Sequence, residues 1–320
     1  MSEDSHADIA MQSIYNKDIL VRVMHDRTPL VTIVIPSYNH AQFIERALVS
    51  VFNQTYKNIE VIFIDDGSKD ATKEIVEKLQ ERFSFKAIFQ QNMGLSATLN
   101  KAIDMANGEY FSVCSSDDMY YSNKVEMQVR ALNNEPASPC VVAKASVVDD
   151  DDCILDTESA LYNSGLSGDI SFDELFTFKT VLPVTCMYRL DVLREVGGFD
   201  SSLAAEDYDM SLKLASRYKL IFIDEPLYYY RSPAAIGGTR KRRPMRLDVS
   251  EAHLTTINKF RNHPSYDHAI LEWNFRRFIL FSKYIDTKIY ALRGAIRCKR
   301  KVLNKMYLRS LIKLVFLWKR

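Results

Sequence analysis

Three pairs of neighbouring carboxylates stand out in the sequence: Asp65-Asp66, Asp117-Asp118 and Glu206-Asp207. Adjacent carboxylates repel each other unless solvent, hydrogen-bond donors or a cation compensate their charge. A hard divalent cation takes oxygen ligands and is often held by one or two carboxylates together with substrate phosphates. A carboxylate beside a hydroxyl can also serve as a general base. The pairs are therefore candidates for metal binding and proton transfer.

Each pair also has a purely structural explanation, and the pairs taken singly leave both open. Asp65-Asp66 can belong to an ordinary strand-to-helix turn, Asp117-Asp118 can cap the next helix, and Glu206-Asp207 suit the positive end of a helix dipole. The run Asp149–Asp152 is predicted to be a solvated turn without chemistry. What favours a site is the position of the three pairs relative to the predicted strands.

Apolar runs and helical periodicity predict alternating strands and helices before residue 120. The strands lie within 30–39, 59–70, 85–91 and 109–118, and the helices within 41–55, 71–82 and 94–106. This alternation predicts an α/β fold with a mostly parallel sheet and helices on both faces. A helix starting near Ala205 and a mostly helical region beyond residue 250 follow.

Polar residues come at the carboxyl ends of these strands, which is the edge where ligands bind in such sheets. They are Ser37, Tyr38, Asn39, Asp65, Asp66, Asn92, Asp117 and Asp118. The sequence lacks both the G-x-x-x-x-G-K-[ST] phosphate loop and a G-x-G-x-x-G fingerprint after the first strand. The predicted site therefore holds a metal and a diphosphate in another way.

Composition is that of an ordinary globular protein, with 47% hydrophobic and 26% charged residues among 320. Five scattered cysteines favour reduced thiols, and neither a signal peptide nor a membrane-spanning apolar run is expected. Residues 240–320 hold 21 Lys/Arg against five Asp/Glu, a net charge of +16, which leaves about −15 for residues 1–239. Two regions with different partners are expected.

Three segments in order resemble the family 2 glycosyltransferases with the GT-A fold, in particular bacterial enzymes of O-antigen and surface-polysaccharide assembly. They are VTIVIPSYNHAQFIERALVSVFNQTYKNIEVIFIDDGSKDAT, QNMGLSATLNKAIDMANGEYFSVCSSDD and GGFDSSLAAEDYDMSLKLA. The resemblance covers roughly residues 30–232. It implies an inverting hexosyltransferase that uses a nucleotide-diphosphate sugar and Mn²⁺ or Mg²⁺.

The resemblance also implies roles for single residues. Pro36, Tyr38, Asn39, Asp66, Asn92 and Asp117 would bind the nucleotide sugar. Asp117 and Asp118 would bind the metal, with Asp118 preferred. Asp207 would be the general base, with Glu206 as the second candidate.

Two departures from the family pattern have consequences. Many relatives carry a histidine just after the position of YYYR (228–231), whereas this chain continues SPAAIGGTRKRRP. The basic run Arg240–Arg243 either contacts the diphosphate instead or forms a solvated loop. The Q-x-x-R-W motif of processive synthases is absent, so one sugar is expected per acceptor.

The basic C-terminal region repeats cations every four residues, with apolar residues on much of the other side. The cations are Arg293, Arg297, Lys301, Lys305, Arg309 and Lys313. Either the region packs on the rest of the protein with a wet basic face, or it lies on an anionic membrane surface with Trp318 at the interface. No nucleic-acid partner is expected.

The sequence predicts an N-terminal extension (1–29), a catalytic domain (30–240) and a basic helical region (241–320). The expected function is transfer of glucose or galactose from a UDP-sugar to a lipid-linked acceptor such as GlcNAc-diphosphoundecaprenol, in O-antigen or other lipopolysaccharide assembly. The expected location is cytoplasmic, peripheral on the inner face of the bacterial inner membrane. The alternatives are a dTDP-rhamnose transferase and a non-catalytic nucleotide-sugar-binding subunit of a membrane complex.

Overall fold

The structure, a computed structural model, describes residues 28–168, 170–231, 245–298 and 304–317. Most of the predicted N-terminal extension, the basic run Arg240–Arg243, Lys301 and Trp318 lie outside the described residues. The expectations attached to them stay predictions.

Eight strands and twelve α-helices are assigned within these ranges. The strands are β1 (Val31–Ser37), β2 (Ile59–Asp65), β3 (Lys86–Phe89), β4 (Tyr110–Val113), β5 (Met119–Tyr120), β6 (Cys140–Val148), β7 (Met187–Arg189) and β8 (Ile221–Arg231). The helices are α1 (Ile44–Phe52), α2 (Thr72–Gln80), α3 (Leu95–Met105), α4 (Lys124–Asn134), α5 (Asp156–Tyr162), α6 (Phe172–Phe176), α7 (Leu190–Glu195), α8 (Glu206–Ala215), α9 (Leu247–Lys259), α10 (Tyr266–Phe281), α11 (Lys288–Arg297) and α12 (Lys305–Phe316).

The strands form one sheet in the order β3-β2-β1-β4-β7-β6-β8-β5. Strands β3, β2, β1 and β4 run parallel, and β7 is antiparallel to both β4 and β6. β6 and β8 are parallel, while the short β5 pairs antiparallel with β8. The predicted α/β fold with a mostly parallel sheet is therefore confirmed.

Two apolar layers enclose the sheet because side chains alternate between its faces along each strand. In β1, Ile33 and Ile35 pack with α1, α2 and α4, whereas Val34 packs on the opposite side with α3, α7 and α8. β4 ends at Val113, five residues before the predicted end, because the chain turns there and Asp118 N–H donates to Ser115 O at 3.0 Å. That turn carries the acidic pair.

The C-terminal helices continue the fold. Ile257 of α9 and Trp273 of α10 are buried in the same core cluster as α3 and α8. Helices α10, α11 and α12 share a separate cluster in which Phe278 meets Tyr307. Helices α9 and α10 therefore pack on the catalytic core, whereas the two alternatives for the cationic repeat of α11 and α12 stay predictions.

Candidate active site

A cavity of about 540 Å³ opens at the carboxyl ends of β1, β2 and β4, and we call it the large cavity. Its lining includes most of the residues that the sequence predicts for nucleotide and metal binding. These are Pro36, Tyr38, Asp66, Asn92, Asp117 and Asp118. The other lining residues are Ser37, His40, Gly94, Leu95, Thr98, Ser115, Ser116, Tyr230, Arg231 and Arg246.

Asn39, also predicted to bind the nucleotide, lies beside the large cavity and is not among the residues that line it. Its backbone N–H donates to Ser68 Oγ at 2.8 Å, and its Oδ1 accepts from Lys69 N–H at 2.7 Å. The residue has a φ of 57°, in the left-handed region that asparagine tolerates better than most residues. In this structure Asn39 joins the loop after β1 to the loop after β2.

Ser37 presents an orphaned polar atom at the cavity wall. Its Oγ is buried and has no hydrogen-bond partner among the described residues. A buried hydroxyl without a partner is costly, and groups of this kind are usually satisfied by water or a ligand. The wall therefore offers a donor and acceptor to whatever occupies the large cavity.

Asp66 holds the loop between β3 and α3. Its Oδ1 accepts from Met93 N–H at 2.8 Å and from Gln90 Nε2 at 2.9 Å, and its Oδ2 accepts from Gly94 N–H at 2.9 Å. A carboxylate has about four acceptor positions, so one position on Oδ2 remains for a ligand. The predicted role of Asp66 in binding the nucleotide sugar is compatible with this arrangement.

Gly67 is required where this loop approaches β2. Its φ is +81°, and an added Cβ would lie 2.9 Å from the backbone nitrogen of Asn92. Both the left-handed backbone and the close approach exclude a side chain. Next to it, Asp65 accepts hydrogen bonds from the Ser68 backbone N–H and hydroxyl, so Asp65 shapes the turn.

Asp118 is buried, with only 2% of its surface exposed. Its Oδ1 accepts from the backbone N–H of Arg231 at 2.7 Å, and its Oδ2 accepts from the Tyr228 hydroxyl at 3.0 Å. Burial, followed by the neighbouring charge of Asp117, raises the pKa of Asp118 well above its usual range. A cation bound beside the pair would favour the ionised form of Asp118.

Asp117 is the more accessible member of the pair, with 18% of its side chain exposed. Its Oδ1 lies 3.7 Å from His40 Nδ1, and that nitrogen lies 2.8 Å from Ser116 Oγ. His40, Ser116 and Asp117 all line the large cavity. Asp117 thus presents oxygen ligands to the space where a diphosphate would lie.

These residues fit a divalent cation of the kind that completes its shell with phosphate oxygens and water. Two carboxylates lie side by side at the large cavity, and Asp117 is the more exposed of them. Among the described residues no group of three or more His, Cys, Asp or Glu side chains is arranged to hold a metal by itself. The donor set is that of a cation bound jointly with a substrate.

Arg231 fixes the acidic pair from behind. Its side chain is fully buried, its Nε donates to Asp117 O at 2.8 Å, and its guanidinium lies 4.4 Å from the Phe43 ring centroid. The same guanidinium pairs with Asp152, which also pairs with Arg46. The prediction of a solvated turn is therefore wrong for Asp152, although its neighbour Asp151 is exposed.

A second cavity of about 90 Å³, the middle cavity, adjoins the large one and shares Leu95 and Ser115 with it. Glu206 and Asp207 line the middle cavity from the first turn of α8, which begins at Glu206 as predicted. Burial and the nearby charge of Asp207 raise the pKa of Glu206 to about 7. Desolvation by the surrounding cleft also raises the pKa of Asp207, although its side chain is exposed to the cavities.

The loop that carries this pair is anchored to α3. Asn100 accepts from Phe199 N–H and donates to Phe199 O, both at 2.8 Å. Gly198 has a φ of +67°, and an added Cβ would lie 2.5 Å from Asn100 Oδ1. The same helix lines the large cavity through Thr98, so one helix positions parts of both cavities.

A third cavity of about 50 Å³, the small cavity, shares Leu182, Asp207 and Ser211 with the middle cavity. The three cavities therefore form a row with Asp207 at the last junction. The arrangement can hold a nucleotide diphosphate at one end, a reacting group in the middle and a second substrate beyond it.

In sequence the chain is similar to known glycosyltransferases. The profile of "Glycosyl transferase family 2" matches residues 32–197. An uncharacterized glycosyltransferase of Rickettsia typhi is 44% identical over 106 residues, which are 33% of each chain. Another, of Rickettsia prowazekii, is 33% identical over 217 residues, which are 65% of this chain and 65% of that relative. The match thus spans from a third to just under two thirds of these relatives.

Solved structures share the fold. Staphylococcus aureus TarS 1–349 in complex with UDP-GlcNAc aligns with a TM-score of 0.60 at 18% identity, covering 89% of this chain and 88% of that one. The mannosyltransferase PcManGT of Pyrobaculum calidifontis, in complex with GDP-Man and Mn²⁺, aligns with a TM-score of 0.61 at 15% identity, covering 91% and 88%. The expected GT-A fold is confirmed.

Proposed function

Because the chain belongs to glycosyl transferase family 2, we propose that it moves a hexose from a UDP-sugar to a hydroxyl of a lipid-linked acceptor, with inversion at the anomeric carbon. One observation carries this proposal. The large cavity, with its acidic pair, meets the middle cavity, with Glu206 and Asp207, at Leu95 and Ser115. This adjacency supports a donor in the large cavity and a general base in the middle cavity.

The donor is proposed to occupy the large cavity. The TarS complex holds UDP-GlcNAc and the mannosyltransferase complex holds GDP-Man with Mn²⁺, which supports a nucleotide sugar and a divalent cation here as well. The sequence favours Asp118 as the metal ligand; we propose Asp117 instead as the first ligand of Mn²⁺ or Mg²⁺, with Asp118 in support, because Asp117 is the more exposed of the pair. When bound, such a cation neutralises negative charge on the departing diphosphate.

Asp207 is proposed as the general base. It would accept the proton of the acceptor hydroxyl while that oxygen bonds to the anomeric carbon and the bond from this carbon to the diphosphate breaks. A raised pKa makes the carboxylate a stronger base, provided that it is ionised at the working pH. Glu206 lines the same cavity and is the second candidate.

The acceptor is proposed to be membrane-bound. Helices α11 and α12 expose apolar side chains beside their cations: Ile289, Leu292, Ile296, Met306, Leu308, Ile312, Val315 and Phe316. No described helix is long and apolar enough to cross a membrane. An exposed apolar face rimmed by Arg and Lys suits an anionic bilayer surface. We favour glucose or galactose as the transferred sugar and GlcNAc-diphosphoundecaprenol as the lipid-linked acceptor, as in O-antigen assembly.

Thermal stabilisation by UDP, with and without Mn²⁺, tests the donor site. We expect a Mn²⁺-dependent increase in Tm that is strongly reduced in Asp117→Ala and in Asp118→Ala. Stabilisation by dTDP instead of UDP would point to a deoxysugar transferase. No response to UDP, dTDP or GDP would overturn the proposal, and nucleotide binding without turnover of any donor would indicate a binding subunit.

A further inference from the structure

The small cavity meets the middle cavity at Asp207 and shares no lining residue with the large cavity. Its wall combines α8 residues with Phe178, with His253 of α9 and with Arg276 of α10. The C-terminal helices therefore contribute directly to the surroundings of the proposed base. None of these three residues lines the large cavity, where the nucleotide is proposed to bind.

Arg276 brings a cation to this cavity that no described carboxylate contacts directly, although the charge of Glu272, one turn earlier on α10, acts on it from a longer distance. Its Nε is buried and donates no hydrogen bond to any described residue, and no carboxylate there lies within ion-pair distance of its guanidinium. The guanidinium lies 4.9 Å from the centroid of the Phe178 ring. A guanidinium stays protonated near neutral pH, and a charge withdrawn from water without a partner is costly. The arrangement calls for an anion.

Apart from Asp207, which lies at the junction with the middle cavity, the other walls add no charged side chain beside Arg276. Tyr208 stacks on Phe178 with ring centroids 4.8 Å apart, and both rings contact His253. Burial, followed by the charge of Arg276, lowers the pKa of His253 to about 4, so its ring is neutral near pH 7. Aromatic walls with one unpaired guanidinium favour a single compact anion over a neutral sugar.

The size of the cavity agrees with such a group. A volume of about 50 Å³ corresponds to about three to five water-sized probes. That is room for a phosphate or carboxylate group, and too little for a hexose ring. An Arg side chain binds either group through paired hydrogen bonds.

We propose that the small cavity binds an anionic group, a phosphate or a carboxylate, that the acceptor carries next to its reacting hydroxyl. The inference rests on the proposed function, since it assigns the acceptor to the space beyond Asp207. A phosphate would come from the diphosphate link of a lipid-bound sugar, and a carboxylate from a uronic acid. The shared chemistry is a compact anion held by Arg276.

The test uses the full-length protein with the large cavity filled by saturating UDP and Mg²⁺. Methyl phosphate is titrated and followed by broadening of its ³¹P resonance, and acetate by its ¹H resonance. We expect one of the two probes to bind wild type, and about tenfold or weaker binding in Arg276→Gln. Arg276→Lys, which keeps the charge, should retain most of the affinity. Arg261→Gln removes an exposed arginine from the same region and should change nothing.

The outcomes separate the possible failures. Binding of methyl phosphate alone assigns the lipid-phosphate source, and binding of acetate alone assigns the uronate source. UDP binding without either anion, or equal anion binding in wild type and Arg276→Gln, overturns this inference and leaves the proposed function standing. Failure of UDP to bind overturns the proposed function itself. Melting curves establish that each variant is folded.

Discussion

Tyr228 in β8 donates its hydroxyl to Asp118 Oδ2 at 3.0 Å and accepts the backbone N–H of Ser115 at 3.1 Å. A single phenol therefore holds both ends of the turn that carries the acidic pair. The two residues are separated by 110 positions in sequence. The geometry of the proposed metal site depends on this contact between the last strand of the sheet and the loop after β4.

Tyr228→Phe should lower the free energy of unfolding by about 1 to 3 kcal/mol, because it leaves a buried carboxylate oxygen and a backbone N–H without their partner. Urea unfolding followed by circular dichroism measures the change. Tyr218→Phe is the matched control, since its hydroxyl lies near the surface and contacts Glu195 only at 3.4 Å or more. Equal stability of Tyr228→Phe and wild type would contradict the structural role.

Asp207→Asn should reduce transfer by about 10² to 10⁴-fold, which is the usual contribution of a general base. The amide keeps the size of the side chain and cannot accept the proton, so UDP binding should stay near the wild-type level. Rate measurements and UDP titration are made on the same preparation. A parallel Glu206→Gln variant distinguishes the two carboxylates: if it alone abolishes transfer, the base is Glu206.

The stability of the protein should depend on pH through Glu206. The folded state raises the pKa of this carboxyl from an ordinary value of 4.5 to about 7, so the folded protein binds a proton that the unfolded chain has released. Its contribution is fully present below pH 4.5 and is lost as the pH rises through 7. As the pH rises from 4.5 to about 7, the Tm of wild type should therefore decrease relative to the Tm of Glu206→Gln. A constant difference across that range would refute the shift.

Asp152→Asn should destabilise the protein by about 3 kcal/mol, because Arg231 then keeps a buried charge without its carboxylate. Since Arg231 also donates to Asp117 O, the variant should weaken Mn²⁺-dependent UDP binding. Urea unfolding and nucleotide titration measure the two effects. The neighbouring Asp151→Asn, at an exposed position, is the control and should be near neutral.

Membrane association should depend on the apolar face of α12. Ile312 and Phe316 are 58% and 74% exposed, so Ile312→Ser with Phe316→Ser removes apolar surface without opening the core. Sedimentation with anionic vesicles should show a loss of bound protein, while Leu161→Ser, at another exposed position, should not. Truncation near residue 288 is a poorer test, because Tyr307 packs on Phe278. If the double variant bound the vesicles as well as wild type does, the apolar face of α12 would be excluded as the membrane-binding surface.

The sequence predicted the parallel half of the sheet well because the responsible signals are local. β-Branched runs such as the one in β1 mark buried strands, and the acidic pairs follow the strands directly. Asp66 and Asp117 therefore came to the same edge as predicted. The helix at Glu206 was equally visible.

Other features depend on contacts that no local pattern encodes. Arg231 meets Asp152 because β6 and β8 pair in parallel across about 80 residues, which is why the acidic turn was misread as solvated. Arg276 lines the small cavity because α10 packs near the start of α8. One local signal could have indicated the contact between Arg231 and Asp152: Arg231 ends an apolar strand, in the segment YYYR.

The position of Asp207 between the middle and small cavities constrains the kinetic order of the reaction. The proposed base at that junction would contact an acceptor in the middle and small cavities while the nucleotide occupied the large cavity, so both substrates would have room on the protein at once. Transfer would then pass through a ternary complex, and initial-rate plots at varied donor and acceptor concentrations would intersect. With the acceptor side empty, water would occupy the place beside Asp207, and slow cleavage of the donor would become the default reaction.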